Sequence, residues 1–418
     1  MSVANPSLPN LNPAAAPAAA LSSARGGAAQ AVRQVFIQRL TLTDFRNYPR
    51  LRLDVGAGPV VLTGANGAGK TNLLEAISFL APGRGLRGAK LRDVGRQTHP
   101  GGPCAPSWGV AAGVNGPDGL TDIGTGLTPA APERRAVQIN GQPAKGGASI
   151  ARQISLVWLT PAMDRLFLDG PASRRKFLDR LVTAFDADQA GRIAAYDHAH
   201  RQRSRLLRDG QGDAAWFAAL EDTMARHGVA LAAARSDLVA RLNRALAAAL
   251  GPFPAASLRL VGTVDTWLAE MPAIDAEDKA RVSLWDERRG ILGAGAGPHR
   301  SDLGVAMIAA GHASHGQPAA LCSTGEQKAL LISVVLAHAR LQREKRGTAP
   351  ILLLDEIAAH LDAGRRAALF SELRALHTQA WMTGTDDALF AEVGESAQFF
   401  AFSQGAITRS VLPHSAPQ

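Results

Sequence analysis

The chain has 418 residues, enough for two or three domains, and its formal net charge of +9 makes an acidic polymer such as nucleic acid a candidate partner. Only seven of its 45 basic residues are lysines, so genome composition is the alternative explanation for the arginine excess. The two distant cysteines, Cys104 and Cys322, argue against a disulfide framework and predict a cytoplasmic protein, and no apolar run is long enough to cross a membrane.

The first segment, residues 1–31, is rich in Ala, Pro and Ser and contains no acidic residue. Its prolines interrupt any apolar core of the kind a signal peptide needs, so the segment is predicted to be a disordered tail. A transit peptide is the alternative, although arginine is sparse there.

Residues 32–165 are predicted to form the first half of an α/β domain. Apolar alternation in "VRQVFIQRLTLTDFRNY" predicts a strand, and "LRLDVGAGPVVLTG" predicts a hairpin whose second strand is Pro59–Thr63. A helix, "NLLEAISFL", follows a glycine-rich loop, and the Gly/Pro-rich stretch Gly83–Gly147 is typical of irregular antiparallel β structure.

Residues 166–290 are predicted to form an inserted helical domain. Ser173–Leu250 contains few Gly or Pro residues, and its apolar positions, among them Phe217, Leu220 and Met224, follow helical spacing. "GPFP" ends this stretch, and a short strand, "SLRLVGTV", and another helical segment follow.

Residues 291–418 alternate between helix and strand again. A helix from Gly325 precedes the strand "APILLLD", a helix from Asp362 follows, and "QAWMTG" and "QFFAFS" are two further strands. Such β–α alternation predicts a mostly parallel sheet, so the two outer segments are expected to form one α/β domain.

The first chemical motif is "GANGAGKT", which lies between a predicted strand and a predicted helix and matches G-x-x-x-x-G-K-[ST]. In such a phosphate loop the backbone amides cradle phosphate oxygens, Lys70 meets the β- and γ-phosphates of ATP, and the Thr71 hydroxyl binds Mg²⁺. A structural glycine turn is the alternative. The predicted ATP-binding residues of the loop are Gly64, Ala65, Asn66, Gly67, Ala68, Gly69, Lys70 and Thr71.

The second motif is "ILLLDEIAAHLD", in which Asp355 ends an apolar strand at the edge where parallel sheets bind ligands. Asp355 is predicted to hold Mg²⁺ through water, and Glu356 to be the catalytic residue that orients or activates the attacking water. The 284 residues between Lys70 and Asp355 exceed what a compact nucleotide domain needs, which again indicates an insertion.

The third motif is "CSTGEQKALLISVVLAHARL", where a polar helix start offers amides and a Ser hydroxyl to an anion. In ABC-type ATPases a signature of this kind closes over the nucleotide of a second subunit. Residues Ser323, Thr324, Gly325 and Glu326 are therefore predicted to act in trans.

Together these motifs resemble the RecF family of bacterial recombinational-repair ATPases, which is related to SMC heads. The resemblance spans most of Val32 to about Thr385, through "LTDFRNYPRL", "LTGANGAGKTNLLEAI", "VQINGQ", "LDGPASRRKFLD", "GAGPHRSDL", "CSTGEQKALLISVVLAHA" and "LLLDEIAAHLD".

The resemblance implies an ABC-type P-loop head with an antiparallel β subdomain and a helical arm, an ATP-dependent homodimer, weak ATP hydrolysis and DNA binding. It also implies action at gapped or stalled DNA, on duplex and at single-strand/double-strand junctions, with RecR and RecO, to help load the RecA recombinase. By the same resemblance, Arg46 and Asn47 of "DFRNY" contact the nucleotide; a capped turn is the alternative.

The sequence departs from an ABC signature at Cys322, Thr324 and Glu326, where Leu, Gly and commonly Gln are expected, so Ser323 and Gly325 alone match. "SLVWLTP" lacks a glutamine loop, and "WMTGTD" lacks the His that follows this strand in transporters. These departures predict a slow, switch-like ATPase.

Two groups of arginines are candidates for DNA contact. Arg201, Arg205 and Arg208 share one face of a predicted helix, where a solvated face is the alternative. Arg174 and Arg175 contact either DNA or another domain, and His299 and Arg300 of "GPHRSD" receive no role.

Competing functions are a transport-type ATPase subunit, an SMC-type head, a small-molecule P-loop kinase, or another ABC-type ATPase not dedicated to recombination. The helical insertion argues against the first, the absence of long heptad stretches against the second, and "CSTGEQK" against the third.

Overall fold

A computed structural model of the protein describes residues 33–99, 101–210, 212–247, 251–291, 293–308, 316–403 and 406–410. The predicted disordered tail, residues 1–31, lies outside these residues. The chain divides into two compact units: unit 1 comprises residues 1–158, 343–359 and 369–418, and unit 2 comprises residues 159–342 and 360–368.

The strands in chain order are β1 Phe36–Phe45, β2 Tyr48–Asp54, β3 Val60–Gly64, β4 Trp108–Gly116, β5 Gly119–Leu127, β6 Ala136–Ile139, β7 Gln142–Pro143, β8 Leu156–Leu159, β9 Ala255–Val261, β10 Asp302–Ile308, β11 Gln317–Pro318, β12 Ile351–Leu354, β13 Ala380–Thr383, β14 Gln398–Ser403 and β15 Ala406–Ser410.

The α-helices are α1 Lys70–Ser78, α2 Gly146–Ala151, α3 Pro171–Phe185, α4 Gln189–Asp209, α5 Ala214–Leu246, α6 Thr263–Glu270, α7 Ala273–Arg288, α8 Thr324–Arg346 and α9 Ala363–Ala375. This mixture of helices and sheets confirms the predicted α/β class.

Unit 1 contains a six-stranded antiparallel sheet in the order β2-β1-β4-β5-β6-β7. Strands β4 to β7 lie within the stretch Gly83–Gly147, so the predicted irregular antiparallel structure is confirmed from Trp108 to Pro143, whereas Leu91–Asp93 forms a short 3-10 helix outside the sheet. Strands β1 and β2 form a hairpin whose turn contains Arg46 and Asn47, with Arg46 in the left-handed region at φ 52°.

The hairpin predicted within "LRLDVGAGPVVLTG" is wrong, because β2 and β3 belong to different sheets. Strand β2 lies at the edge of the antiparallel sheet and exposes charged side chains such as Arg50 and Arg52. Strand β3 is buried over Val60–Thr63, which is the environment of a central strand covered on both faces.

The second sheet of unit 1 has the order β15-β14-β3-β13-β12-β8. Strand β3 pairs in parallel with both β13 and β14, and β12 pairs in parallel with β13, while β15 is an antiparallel addition at the edge. The predicted mostly parallel sheet is confirmed. Its carboxyl edge brings together the ends of β3, β12 and β13.

One buried side chain, that of Gln379, connects the two sheets of unit 1. Its Oε1 accepts hydrogen bonds from the Ile37 amide at 2.9 Å and the Trp381 indole at 3.0 Å. Its Nε2 donates to the carbonyls of Ile37 at 2.9 Å and Gly56 at 2.8 Å. A completely buried amide thus uses four hydrogen bonds to link β1 with the strand that carries Trp381.

Unit 2 contains α3 to α7 and a three-stranded sheet in the order β11-β10-β9. The predicted helical spacing is confirmed, since Phe217, Leu220 and Met224 of α5 are buried in one apolar cluster. Buried arginines also connect its elements: Arg203 pairs with Glu221 at 3.0 Å and with Glu287 at 2.8 Å.

Among the described residues, no helix combines the length and the apolar composition that crossing a bilayer requires.

Replacing Gln379 with Leu should lower the free energy of unfolding by about 3 kcal/mol, because buried backbone groups of Ile37 and Gly56 lose their partners. Gln398→Leu is the matched control, since the side chain of this half-buried glutamine hydrogen-bonds to the backbone of Gly56 without linking the Ile37 backbone of β1. Urea unfolding curves of the two variants compare the losses. Equal losses would contradict a linking role for Gln379.

Candidate nucleotide-binding site

The phosphate loop connects the end of β3 to the start of α1. Gly64, Gly67 and Gly69 have φ values of 135°, 80° and 108°, which only glycine adopts without strain. A Cβ atom at Gly69 would lie 2.6 Å from Asn47 Nδ2 and 2.8 Å from the Tyr48 hydroxyl. Backbone geometry therefore requires glycine at all three positions, and at Gly69 the β1–β2 turn that packs against the loop also leaves no room for a side chain.

The Lys70 side chain lies inside the loop, 4% exposed. Its Nζ donates to the carbonyl oxygens of Gly64 at 2.5 Å and Ala65 at 2.9 Å. Burial lowers the pKa of Lys70, and the nearby carboxylates of Glu356 and Asp355 oppose that effect. The carbonyl oxygens of the loop thus hold the Lys70 ammonium in place, and the two carboxylates lie close to it.

Asp355 follows β12 and is almost completely buried. Its Oδ1 accepts hydrogen bonds from the Thr71 hydroxyl at 3.0 Å and from the Thr383 hydroxyl at 2.8 Å. Burial raises the pKa of Asp355, and these two hydroxyl bonds act in the opposite direction. Two motifs separated by 284 positions in the sequence are thus in direct contact.

Glu356 has φ 53°, a left-handed backbone conformation that is uncommon for a residue other than glycine. Its amide donates to the Thr383 hydroxyl at 2.8 Å. This oxygen-rich corner beside Lys70 has the chemistry to hold a hard cation and the terminal phosphates of a nucleotide.

The donor set fits Mg²⁺ rather than a metal held by protein alone. No group of three or more His, Cys, Asp or Glu side chains that could hold a metal occurs in the described part of the chain. Mg²⁺ commonly uses one or two protein oxygens together with substrate phosphates and water. Thr71 and Asp355 provide such a pair.

A buried ion cluster on α1 has no counterpart in the sequence predictions. Glu75 is completely buried and accepts two hydrogen bonds from Arg46, at 2.7 and 2.8 Å, and one from Arg87 at 2.7 Å. An acidic residue in the middle of the apolar helix "NLLEAISFL" is the signal that indicates such a pair, because buried carboxylates need a partner.

The predicted nucleotide contacts Arg46 and Asn47 fasten the β1–β2 turn to α1. The guanidinium of Arg46 engages Glu75, and Asn47 Oδ1 accepts a hydrogen bond from Asn72 Nδ2 at 2.8 Å. These contacts favour the turn-stabilising alternative, and contact with a nucleotide stays a prediction for both residues.

The start of α8 in unit 2 forms a reciprocal capping box. The amide and hydroxyl of Ser323 both donate to Glu326 Oε2 at 2.8 Å, and the Glu326 amide approaches Ser323 Oγ at 3.4 Å. The Ser323 hydroxyl bond lowers the pKa of Glu326. Ser323, Thr324 and Gly325 are exposed, and their action on a second chain stays a prediction.

The two groups of candidate DNA-contact arginines differ in their surroundings. Arg201, Arg205 and Arg208 are exposed on α4. Arg174 forms a two-point ion pair with Asp302, at 2.8 Å for both bonds, and Arg175 donates to the Ser301 carbonyl at 2.7 Å. For Arg174 and Arg175 the geometry favours packing inside unit 2 over DNA contact.

The segment "GPHRSD" also packs inside unit 2. His299 Nδ1 lies 2.5 Å from the Tyr196 hydroxyl, and burial lowers the pKa of His299 to about 3. Arg300 donates to Glu287 Oε1 at 2.7 Å. The motif therefore has a structural explanation.

Comparison with known proteins places these features in a family context. A family model described as RecF/RecN/SMC N terminal domain matches residues 36–408. Over 381 residues the chain is 50% identical to the DNA replication and repair protein RecF of Mesorhizobium japonicum, covering 90% of this chain and 98% of that protein.

Two solved structures show similar folds. The recombination mediator protein RecF-ATP in the RecFOR pathway matches with a TM-score of 0.73 at 21% identity, covering 90% of this chain and 100% of that one. An Smc head domain from Pyrococcus furiosus, with an extended coiled coil and bound to the C-terminal domain of ScpA, matches with a TM-score of 0.50 at 17% identity, covering 90% and 96% of the two chains. These similarities support the ATPase-head fold.

Replacing Lys70 with Ala should weaken ATP binding about 100-fold, because the loop loses the charge that its carbonyls hold beside the phosphate site. Lys279→Ala, at an exposed lysine of α7, is the matched control and should bind ATP normally. Isothermal titration with ATP and Mg²⁺ measures both affinities. Unchanged affinity in the Lys70 variant would contradict the assignment of the loop.

Proposed function

The chain belongs to the RecF family, and on that premise we propose that it is an ATP-dependent DNA-binding protein of replication and recombinational repair. It dimerises on DNA when ATP is bound, acts at gaps or stalled forks, and helps to load RecA together with RecO and RecR. Slow ATP hydrolysis returns the dimer to separate chains. The protein acts in the cytoplasm. The observation that carries the ATPase part is the hydrogen bond between Thr71 and Asp355.

The geometry of the phosphate loop supports ATP binding. Backbone amides of residues 64–69 surround the β- and γ-phosphates, and Lys70 supplies the positive charge. Thr71 and Asp355 would hold Mg²⁺, and the ion would supply positive charge that stabilises the negative charge developing on the phosphates. Burial raises the pKa of Asp355 because it disfavours the ionised carboxylate. A nearby positive charge would favour the ionised form.

Glu356 is the catalytic residue, because it directly follows the metal-site aspartate in a buried corner. It accepts a proton from the attacking water or orients that water toward the γ-phosphate. A slow reaction is supported by the sequence after β13, where Gly384 follows Thr383 and the histidine of transporter ATPases is missing.

Each nucleotide is enclosed by two chains. Residues Ser323 to Glu326 of one chain cover the ATP that the phosphate loop of the other holds, using a helix start that favours anions. In the separate chain, Ser323 already binds the Glu326 carboxylate. When the two chains associate, the γ-phosphate of the partner's nucleotide therefore replaces the Glu326 carboxylate as the anion at the helix start. Because one anion replaces another, the ATP-dependent dimer can separate readily.

DNA binding is supported by the net charge of +9 and by the exposed arginines of α4. Arg201, Arg205 and Arg208 provide charges for contact with the phosphate backbone of duplex DNA or of a single-strand/double-strand junction. Such contacts position the protein without reading base sequence, which suits a protein that acts wherever replication stalls.

Glu356→Gln should slow ATP hydrolysis about 100-fold while ATP binding persists, because the amide keeps the shape of the carboxylate and loses the base. The ATP-bound dimer of this variant should accumulate on duplex DNA, and wild-type hydrolysis should be stimulated by the same DNA. Sedimentation and ATPase assays, each with and without DNA, measure these effects.

Two outcomes of that experiment would count against the proposal. A Glu356→Gln chain that stays monomeric with ATP, under conditions in which the wild type dimerises, contradicts the role of Glu356. ATP hydrolysis that is indifferent to DNA favours another ABC-type ATPase not dedicated to recombination.

Replacing Arg201, Arg205 and Arg208 with Ala tests the α4 surface: DNA affinity should fall, and ATP hydrolysis without DNA should not change.

Mixing two defective chains tests whether the nucleotide is shared between subunits. Ser323→Arg should bind ATP as a monomer but fail to dimerise, and Lys70→Ala should bind ATP poorly. A mixed dimer contains one site with an intact Lys70 opposite an intact Ser323, so ATPase activity should recover in part, toward roughly half of the wild-type value if the two sites act independently.

The control for the mixture is Ser396→Arg, which adds the same charge at an exposed serine of unit 1. It should dimerise with ATP like the wild type. Absence of both a mixed dimer and recovered activity, across a range of mixing ratios, would contradict action in trans.

A further inference from the structure

Thr383, the last residue of β13, has a buried hydroxyl that is bonded on two sides. It donates to Asp355 Oδ1 at 2.8 Å and accepts from the Glu356 amide at 2.8 Å. The side chain is 1% exposed. One hydroxyl therefore contacts both members of the acidic pair.

Strand register places Thr383 in this position. Strands β12 and β13 are parallel neighbours with Leu354 opposite Met382, so Asp355 and Thr383 are the next residues along the two strands. The first residue beyond β12 and the last residue of β13 thus meet at the carboxyl edge of the sheet, beside the start of α1. A hydroxyl on β13 reaches the carboxylate and the following peptide of the neighbouring strand.

The bond to the Glu356 amide supports an unfavourable backbone conformation. Glu356 has φ 53°, and a residue with a Cβ atom occupies that region only when its surroundings hold it there. The direction of the Glu356 side chain depends on that φ value. The Thr383 hydroxyl is the acceptor that holds its amide.

The bond to Asp355 orients the proposed magnesium ligand. Thr71 and Thr383 both donate to Oδ1, from α1 and from β13, so this carboxylate oxygen is held from two directions. The hydroxyl of a Ser or Thr is a single atom close to the backbone that both donates to a carboxylate and accepts from an amide. Valine has nearly the same shape as threonine and can do neither.

We propose that Thr383 is a positioning residue for ATP hydrolysis, which sets the directions of Asp355 and Glu356 without contacting the nucleotide. This inference rests on the proposed function, because it requires that the acidic pair act on ATP. The phosphate loop holds the nucleotide independently of Thr383. Loss of the hydroxyl should therefore lower kcat and leave ATP affinity nearly unchanged.

The test compares Thr383→Val with Thr383→Ser in the full-length protein. The Val variant should lose about 10- to 100-fold in kcat, the size of effect expected from misplaced catalytic groups, with ATP affinity within about 3-fold of the wild type. The Ser variant should recover kcat to within about 3-fold, because it restores both hydrogen bonds. Single-turnover ATP hydrolysis and titration with ATP provide the two measurements.

A matched control is Thr378→Val. Thr378 is also buried, lies just before β13, and donates to the Pro350 carbonyl at 2.5 Å, away from the acidic pair. It should keep the wild-type kcat even where its thermal unfolding temperature falls. If Thr383→Val does not fold, Thr383→Ala removes the same two bonds in a smaller side chain and replaces it in the test.

Coupling to Glu356 separates positioning from a general structural effect. Adding Thr383→Val to Glu356→Gln should cost much less than the product of the two single losses, because both changes disable the same group. Multiplying losses, an unchanged kcat in Thr383→Val, a Ser variant as slow as the Val variant, or an equal loss in Thr378→Val would each overturn the inference.

Glu356→Gln measured alongside shows which proposal fails. Slow hydrolysis in Glu356→Gln with normal hydrolysis in Thr383→Val overturns the role of Thr383 and leaves the proposed function intact. Normal hydrolysis in Glu356→Gln overturns both, since Thr383 is proposed to act through the acidic pair.

Discussion

A hydrogen bond between the Thr71 hydroxyl and the Asp355 carboxylate joins two parts of the proposed nucleotide site that lie 284 positions apart in the chain. It forms because β3 and β12 flank β13 in a parallel sheet, so that all three strands end at one edge. Everything proposed for ATP, Mg²⁺ and Glu356 depends on that meeting point. The intervening chain forms strands β4 to β7 of the antiparallel sheet and most of unit 2 without separating the two motifs.

Buried polar side chains explain how the elements around the site are kept in register. Glu75 on α1 binds Arg46 of the β1–β2 turn, and Gln379 links β1 to the segment that enters β13. Removing one partner of such a pair leaves a buried polar group unsatisfied, which makes slippage between the sheets costly. The antiparallel sheet thus braces the turn that packs on the phosphate loop, although it provides none of the proposed metal ligands.

The start of α8 shows how a departure from a family pattern acquires a physical reason. Glu326 replaces the Gln common in ABC signatures, and its carboxylate caps the helix through Ser323. A bound carboxylate at a helix start is stable in water and is still replaceable by a phosphate of higher charge. This arrangement is compatible with the proposed dimer, which forms with ATP and separates again.

The sequence by itself determined the phosphate loop, the acidic pair, the α/β alternation and the helical spacing of α5, because each depends on residues close together in the chain. It could not determine that β2 and β3 belong to different sheets, nor that Arg46 is directed to Glu75, Arg174 to Asp302, and the Thr383 hydroxyl to Asp355 and Glu356. Those contacts depend on strand order and on burial, which bring distant residues together. Local patterns decide which helices and strands form. Only their packing decides which polar side chains must form hydrogen bonds or ion pairs with one another.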